Sequence, residues 1–226
     1  MKRLLQNIAF LIGVQCVTLI FGSLFRLALF FIEGTTTADV SIIAEAFLWG
    51  LRFDNLMACV LILIPILLLF VSLFFKPNKH LFNGVYWYLC VVYAISFFIS
   101  AADIPYFNQF FKHVNASVWN WFDEPSFVLK MICSEPTYFV YFFVFVAVVF
   151  SFAWLLKRLK IRFLDSQKDS INWSGLRIGT AALTFVLLIG LCLMGIRGRL
   201  GQKSPVRIGT AYFCNDPFLN QLGLNP

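Results

Sequence analysis

Charged side chains are scarce in this chain. Aspartate, glutamate, lysine and arginine make up only 13% of its 226 residues, whereas 60% are hydrophobic and the mean hydropathy is +0.82. Soluble domains average about 25% charged residues, so this composition excludes an ordinary soluble protein. It indicates a membrane protein.

Potential metal ligands are also few. The chain has two histidines and no Cys-x-x-Cys pair. His113 has no second histidine, cysteine or carboxylate at ligand spacing, so we expect a solvated histidine there. Beyond residue 196, Asp216 is the only acidic residue and no histidine occurs. We therefore expect no cofactor in this chain, because its terminal segment cannot supply a metal cluster.

Five apolar runs are long enough to cross a bilayer. A hydrocarbon core of roughly 30 Å needs about 20 mostly apolar helical residues, and a helix satisfies its own backbone hydrogen bonds there. The runs lie at about 8–32, 56–75, 85–102, 138–156 and 178–196. We expect an all-α fold, a polytopic bundle of five transmembrane helices over residues 1–196, followed by a polar segment at 197–226.

The basic residues predict the orientation of this bundle. Ten of the eighteen lysines and arginines lie in segments 1–7, 76–84 and 157–177, whereas 33–55 and 103–137 are mainly acidic. Because basic loops stay in the cytoplasm, the N-terminus is expected inside and residues 197–226 outside. The expected location is the bacterial cytoplasmic (inner) membrane. Contact with anionic lipids accounts for the net charge of +7, which gives no support to nucleic acid binding.

An amphipathic pattern lies between the third and fourth runs. Apolar side chains spaced to share one helical face alternate with polar ones between Pro105 and Pro125. This pattern predicts an interfacial helix between the third and fourth spans, with its apolar face in lipid or packed across the tops of the other helices. The apolar positions are Phe107, Phe110, Phe111, Val114, Val118, Trp121 and Phe122.

Ionisable residues inside or beside the spans are the best candidates for a site, since they are costly in a bilayer. Arg26 lies near the outer end of the first run, so we expect it to extend to the headgroups. Arg52 and Asp54 are two residues apart on a helix and cannot face each other, so each is expected to have its own partner. For Arg52 that partner is a lipid phosphate, or else another helix or the terminal segment. Pro65 should kink the second span.

Three motifs point to a family. They are GLRFDN at 50–55, DIPYF at 103–107 and SPVRIGTAYFCNDPFLNQLGLNP at 204–226. With five spans, they resemble the membrane half of lipoteichoic acid synthase-like proteins, which are phosphoglycerol or phosphoethanolamine transferases of the alkaline phosphatase and sulfatase superfamily. The resemblance implies that 197–226 is the linker to an extracytoplasmic catalytic domain. In that family the nucleophilic threonine and the divalent metal lie in that domain, which this sequence does not contain.

Two hypotheses follow. The first is the membrane-anchor portion of a lipid-headgroup transferase, not catalytic by itself. Its partners would be membrane lipids and the catalytic domain, and the contact residues would be Arg52, Asp54, Arg199 and Arg207. Arg199 and Arg207 belong to a basic cluster that either attracts such partners or simply anchors the chain at the interface. The second hypothesis is a self-contained small membrane protein, such as a transporter half or an assembly subunit, although the chain has no internal repeat.

Overall fold

The computed structural model describes residues 2–34, 38–115, 126, 130, 133–167, 175–198 and 212–224. Within these residues the fold is entirely helical, which confirms the predicted class. The helices are α1 (Lys2–Glu33), α2 (Val40–Ser72), α3 (Lys79–Phe110), α4 (Pro136–Leu159, continued by a π-helical turn at Lys160–Leu164), α5 (Gly175–Arg197) and α6 (Pro217–Leu222).

Helices α1 to α5 are each long and apolar enough to cross a membrane, with spans of 20 to 33 residues. The chain is therefore a multi-pass membrane protein. Since about 20 residues suffice to cross the hydrocarbon core, the longer helices must tilt or project beyond it. The bundle has two ends. We name them the Arg3 end and the Arg26 end, after the buried arginine at each.

Two helices extend well beyond the apolar runs that predicted them. Helix α2 begins at Val40 rather than near residue 56 and continues through Pro65, and α3 ends at Phe110 rather than near 102. An apolar run in the sequence ends at the first polar residues. The helix itself continues past them where their side chains have partners in the bundle. Both Asp54 and Asp103 are buried within these extensions.

The predicted interfacial helix has a different beginning in the structure. Phe107 and Phe110 belong to the last turn of α3, which ends where Phe111 adopts the left-handed conformation with φ 52°. Residues 112–115 are not helical. The rest of the predicted helix, 116–125, lies outside the described residues.

The main core joins α1 to α5 and contains an aromatic cluster between α1, α3 and α4. The rings of Phe21 and Phe97 pack against Phe152 with centroid distances of 5.5 and 5.0 Å, both edge to face. Tyr93 completes the cluster, 5.0 Å from the ring of Phe152. Edge-to-face pairs of this kind add about 0.5–1.5 kcal/mol each beyond the area they bury.

The Arg3 end is closed by hydrogen bonds from Arg3 to the end of α2, to the turn that follows it and to a residue after α4. Arg3 Nη2 donates to the carbonyl oxygen of Ser72 at 2.8 Å, Nη1 donates to that of Phe75 at 3.1 Å, and Nε donates to Gln167 Oε1 at 3.2 Å. The last carbonyls of a helix have no partner within it, so Arg3 satisfies groups that would otherwise be costly to bury.

A smaller core lies at the Arg26 end. It consists of Leu29 from α1, Ala46 from α2, Phe107 from α3, and Leu219 and Leu222 from α6, all nearly inaccessible to solvent. Helix α6 therefore packs onto the ends of three membrane helices. The candidate site lies beside this core.

Candidate functional site at the Arg26 end

A buried ion pair joins α1 to α2. Arg26 Nη1 donates to Asp54 Oδ2 at 2.6 Å, and Nη2 donates to Oδ1 at 3.2 Å, so the contact is bidentate. The side chains of Arg26 and Asp54 are only 4% and 7% exposed. The expectation that Arg26 extends to the headgroups is therefore wrong, because a carboxylate on the neighbouring helix lies within reach and matches the guanidinium fork.

Two glycines make room for this pair. A methyl group on Gly22 of α1 would lie 2.8 Å from the carboxyl carbon of Asp54, and one on Gly50 of α2 would overlap the guanidinium of Arg26. Each helix thus lacks a side chain where the other helix's charged group lies. This local complementarity sets the register of α1 against α2.

A second carboxylate, Asp103 near the end of α3, is paired with His113. Asp103 Oδ2 lies 2.6 Å from His113 Nδ1, and the backbone N–H of Val114 donates to Oδ1 at 2.7 Å. The other ring nitrogen, Nε2, lies 2.8 Å from the carbonyl oxygen of Gln221. The prediction of a solvated His113 is wrong, because both of its ring nitrogens contact protein groups. The sequence search missed these partners because neither lies at ligand spacing from His113.

The terminal segment, which we define as residues 212–224, has an ordered internal structure. Asp216 caps α6 by accepting hydrogen bonds from the N–H groups of Phe218 and Leu219. Asn220 Oδ1 accepts from the N–H of Cys214 at 3.2 Å, and its Nδ2 donates to the Cys214 carbonyl at 2.8 Å. The buried amide thereby folds the preceding loop onto the helix.

Both pairs, Arg26–Asp54 and Asp103–His113, also hold the terminal segment. Arg26 Nε donates to the carbonyl oxygen of Leu222 at 3.0 Å, and His113 contacts that of Gln221. These carbonyls belong to the last turn of α6, and that of Gln221 also accepts a hydrogen bond from the N–H of Leu224 at 2.8 Å. The part of 197–226 that the structure describes is therefore docked on the bundle.

A small cavity of about 40 Å³ lies beside the two pairs. Arg26, Asp54, Ser100, Asp103 and His113 line it, and Leu222 contributes to its wall. A water molecule needs about 10–15 Å³ of such volume, so the cavity fits water but is far too small for a lipid headgroup. A headgroup contact must therefore lie outside the cavity.

Arg52 lies on the surface of the bundle and does not line the cavity. It is exposed, and its guanidinium carbon lies 4.6 Å above the ring of Trp49. Arg52 and Asp54 thus have different partners, as their spacing on the helix predicted. Trp49 also lies beside the terminal segment, since a methyl group on Gly223 would be 3.4 Å from Trp49 Cβ. The other two candidates, Arg199 and Arg207, lie outside the described residues.

The described residues contain no group of three or more histidine, cysteine or acidic side chains placed to hold a metal ion. No family model, curated protein or solved structure matches the chain. Its function has to be argued from the Arg26 end and from the sequence motifs.

Proposed function

We propose that this chain is the membrane-anchor portion of a lipid-headgroup transferase of the phosphoglycerol or phosphoethanolamine type, or of a related sulfatase-like enzyme. It lies in a bacterial inner membrane with its Arg26 end and C-terminus on the extracytoplasmic side. Its partners are membrane lipids and an extracytoplasmic catalytic domain. The chain is not catalytic by itself.

The observation that carries the proposal is the docked terminal segment. Two buried acid–base pairs and a small apolar core hold residues 212–224 against the ends of α1, α2 and α3. A transport pathway would leave such charges facing an open passage, whereas here they bind a short stretch of the chain's own backbone. A segment fixed in this way would keep a following domain at a defined height above the headgroups.

Arg52 supports the lipid contact in this proposal. Its planar guanidinium suits bidentate contact with a phosphate, and the side chain is exposed beside the ring of Trp49. Arginine and tryptophan together are typical of the membrane interface. In this proposal the positive charge of Arg52 attracts a substrate headgroup towards a domain held by the terminal segment.

The proposal is tested on the reading frame that continues past Pro226. The protein it encodes and the 226-residue chain are each reconstituted with phosphatidylglycerol or phosphatidylethanolamine, and diacylglycerol release is measured. We expect release by the longer protein only. A reading frame that closes after Pro226, or a longer protein that releases no diacylglycerol, would contradict the proposal and favour the self-contained membrane protein.

The role of Arg52 has a matched control within the chain. Arg158 is also exposed and lies 4.9 Å from the ring of a tryptophan, Trp154, but at the Arg3 end. In the longer protein, Arg52→Ala should lower diacylglycerol release, and Arg158→Ala should not, at equal amounts of inserted protein. Equal effects of the two substitutions would reduce Arg52 to a general interfacial anchor.

A further inference from the structure

His113 lies between two groups that accept hydrogen bonds. Its Nδ1 is 2.6 Å from a carboxylate oxygen of Asp103, and its Nε2 is 2.8 Å from the carbonyl oxygen of Gln221. A backbone carbonyl can only accept, so Nε2 must carry a hydrogen. The contact with Asp103 then also needs a proton, on Nδ1 or on the carboxyl group. A neutral histidine beside an ionised aspartate has one proton too few for both contacts.

We propose that docking of the terminal segment takes up one proton at the Asp103–His113 pair, so that the segment is a pH-sensitive latch. It is held when the pair is protonated and loosened when the pair loses its second proton. The inference does not rest on the transferase role, because it concerns only contacts within the chain itself.

The charges around the pair favour this proton. Arg26 from α1 contributes one positive charge, and Asp54 from α2 and Asp103 from α3 contribute two negative charges around the same cavity. The terminal segment presents the backbone carbonyls of Gln221 and Leu222 to this cluster. A second proton on the pair therefore balances the charges, and its loss leaves an excess negative charge in a nearly dry site.

The geometry also indicates which hydrogen bond of His113 is lost when the pair gives up a proton. With one proton left, His113 can donate either to the carboxylate or to the Gln221 carbonyl. Hydrogen bonds to an ionised acceptor are roughly twice as strong as neutral ones. The remaining proton therefore stays on Nδ1 of His113, which donates it to the Asp103 carboxylate. The bare Nε2 lone pair then faces the carbonyl oxygen and repels it. Because docking takes up one proton, the docking equilibrium constant should fall by up to about tenfold for each unit by which the pH is raised.

Two native cysteines provide the measurement. Cys214 is partly buried within the terminal segment, and Cys133 is exposed. The protein in detergent is labelled briefly with a maleimide between about pH 5.5 and 8.5, the range in which histidine titrates. The ratio of labelling at Cys214 to that at Cys133 largely cancels the common effect of thiolate formation on rate. We expect this ratio to rise with pH, and a ratio independent of pH would overturn the proposal.

The variant Asp103→Asn can keep the hydrogen bonds of the pair while removing the carboxylate that the proposed proton uptake requires. The asparagine oxygen can still accept from Val114, and its amide nitrogen can donate to Nδ1 of a neutral His113 whose Nε2–H binds Gln221. This variant should stay docked and lose the pH dependence, whereas His80→Gln, at the exposed second histidine, should keep it. A rise with pH that persists in Asp103→Asn would also overturn the proposal. If Asp103→Asn labels at Cys214 as an unfolded control does, His113→Gln replaces it, with a flat ratio expected.

Discussion

Replacing Asp54 by asparagine should destabilise the bundle strongly while barely changing its shape. The substitution removes the negative charge and leaves Arg26 charged, since arginine stays protonated in proteins. Arg26 is 5% exposed, so bulk water cannot solvate the guanidinium, and a water molecule in the small cavity beside it would carry no compensating charge. The guanidinium keeps its hydrogen bond to the Leu222 carbonyl, but that group carries no charge to balance it.

The expected loss follows from burial. Removing one partner of a buried ion pair costs about 3–5 kcal/mol, whereas exposed pairs contribute roughly 0–1 kcal/mol. An attraction of about 4 kcal/mol for unit charges about 4 Å apart at an effective dielectric constant of 20 gives the same scale. Because Arg26 and Asp54 are both nearly inaccessible, the larger range applies, and we expect Asp54→Asn to cost about 3–5 kcal/mol.

The assay is reversible unfolding in mixed micelles, from which the free energy of unfolding is obtained. Arg52→Gln is the control, since this exposed residue is on the same helix and should change the free energy by less than about 0.5 kcal/mol. Replacing both charges, with Arg26→Met and Asp54→Leu, should cost much less than the sum of the single changes. A cost below about 1 kcal/mol for Asp54→Asn would refute the buried pair, since only an exposed pair is worth so little.

Three further predictions can be checked by the same methods. Gly50→Ala should destabilise the bundle by displacing the Arg26 guanidinium, whereas Gly84→Ala, with nothing within 4 Å, should stabilise its helix by up to about 1 kcal/mol; equal effects would contradict the proposed fit. Asn220→Ala should raise maleimide labelling of Cys214 several-fold by freeing the loop before α6, and unchanged labelling would show that the amide is not needed. Arg3→Ala should cost about 2–3 kcal/mol by leaving carbonyls at the end of α2 unsatisfied, and a change below about 0.5 kcal/mol would contradict that role.

The sequence predicts the membrane helices well because its signal is local. Each apolar run contains enough hydropathy to identify a span, and the positions of Arg52 and Asp54 follow from helical periodicity alone. The extensions of α2 and α3 are missed because each depends on a buried carboxylate, Asp54 or Asp103, that is stabilised by a distant partner.

The pairings at the Arg26 end require the register between helices. Arg26 and Asp54 are opposite charges in neighbouring spans, so the rule that intramembrane charges pair could have suggested them. Gly22 and Gly50, which bring them together, are visible in the sequence only as glycines. For His113 no local signal exists, because one partner is a backbone carbonyl 108 residues away.

The docked terminal segment did leave a readable signal. Asp216 followed by Pro217 is a typical start of a helix, with an acidic N-cap and proline at the first helical position. The apolar residues that follow, Leu219 and Leu222, are three apart and share one face. The segment is thus polar in composition but amphipathic in detail, whereas the family resemblance implied only a linker.

Docking of the terminal segment on the Arg26 end is tested most directly by a disulfide between α2 and the segment. A methyl group on Gly223 would lie 3.4 Å from Trp49 Cβ, close to the separation of about 3.5–4.5 Å found in disulfides. With Cys133 and Cys214 changed to serine, Trp49→Cys combined with Gly223→Cys should crosslink rapidly on mild oxidation. Leu48→Cys with Gly223→Cys, on an exposed face of α2, should not. Absence of the first crosslink, or equal rates for both pairs, would contradict the docked segment.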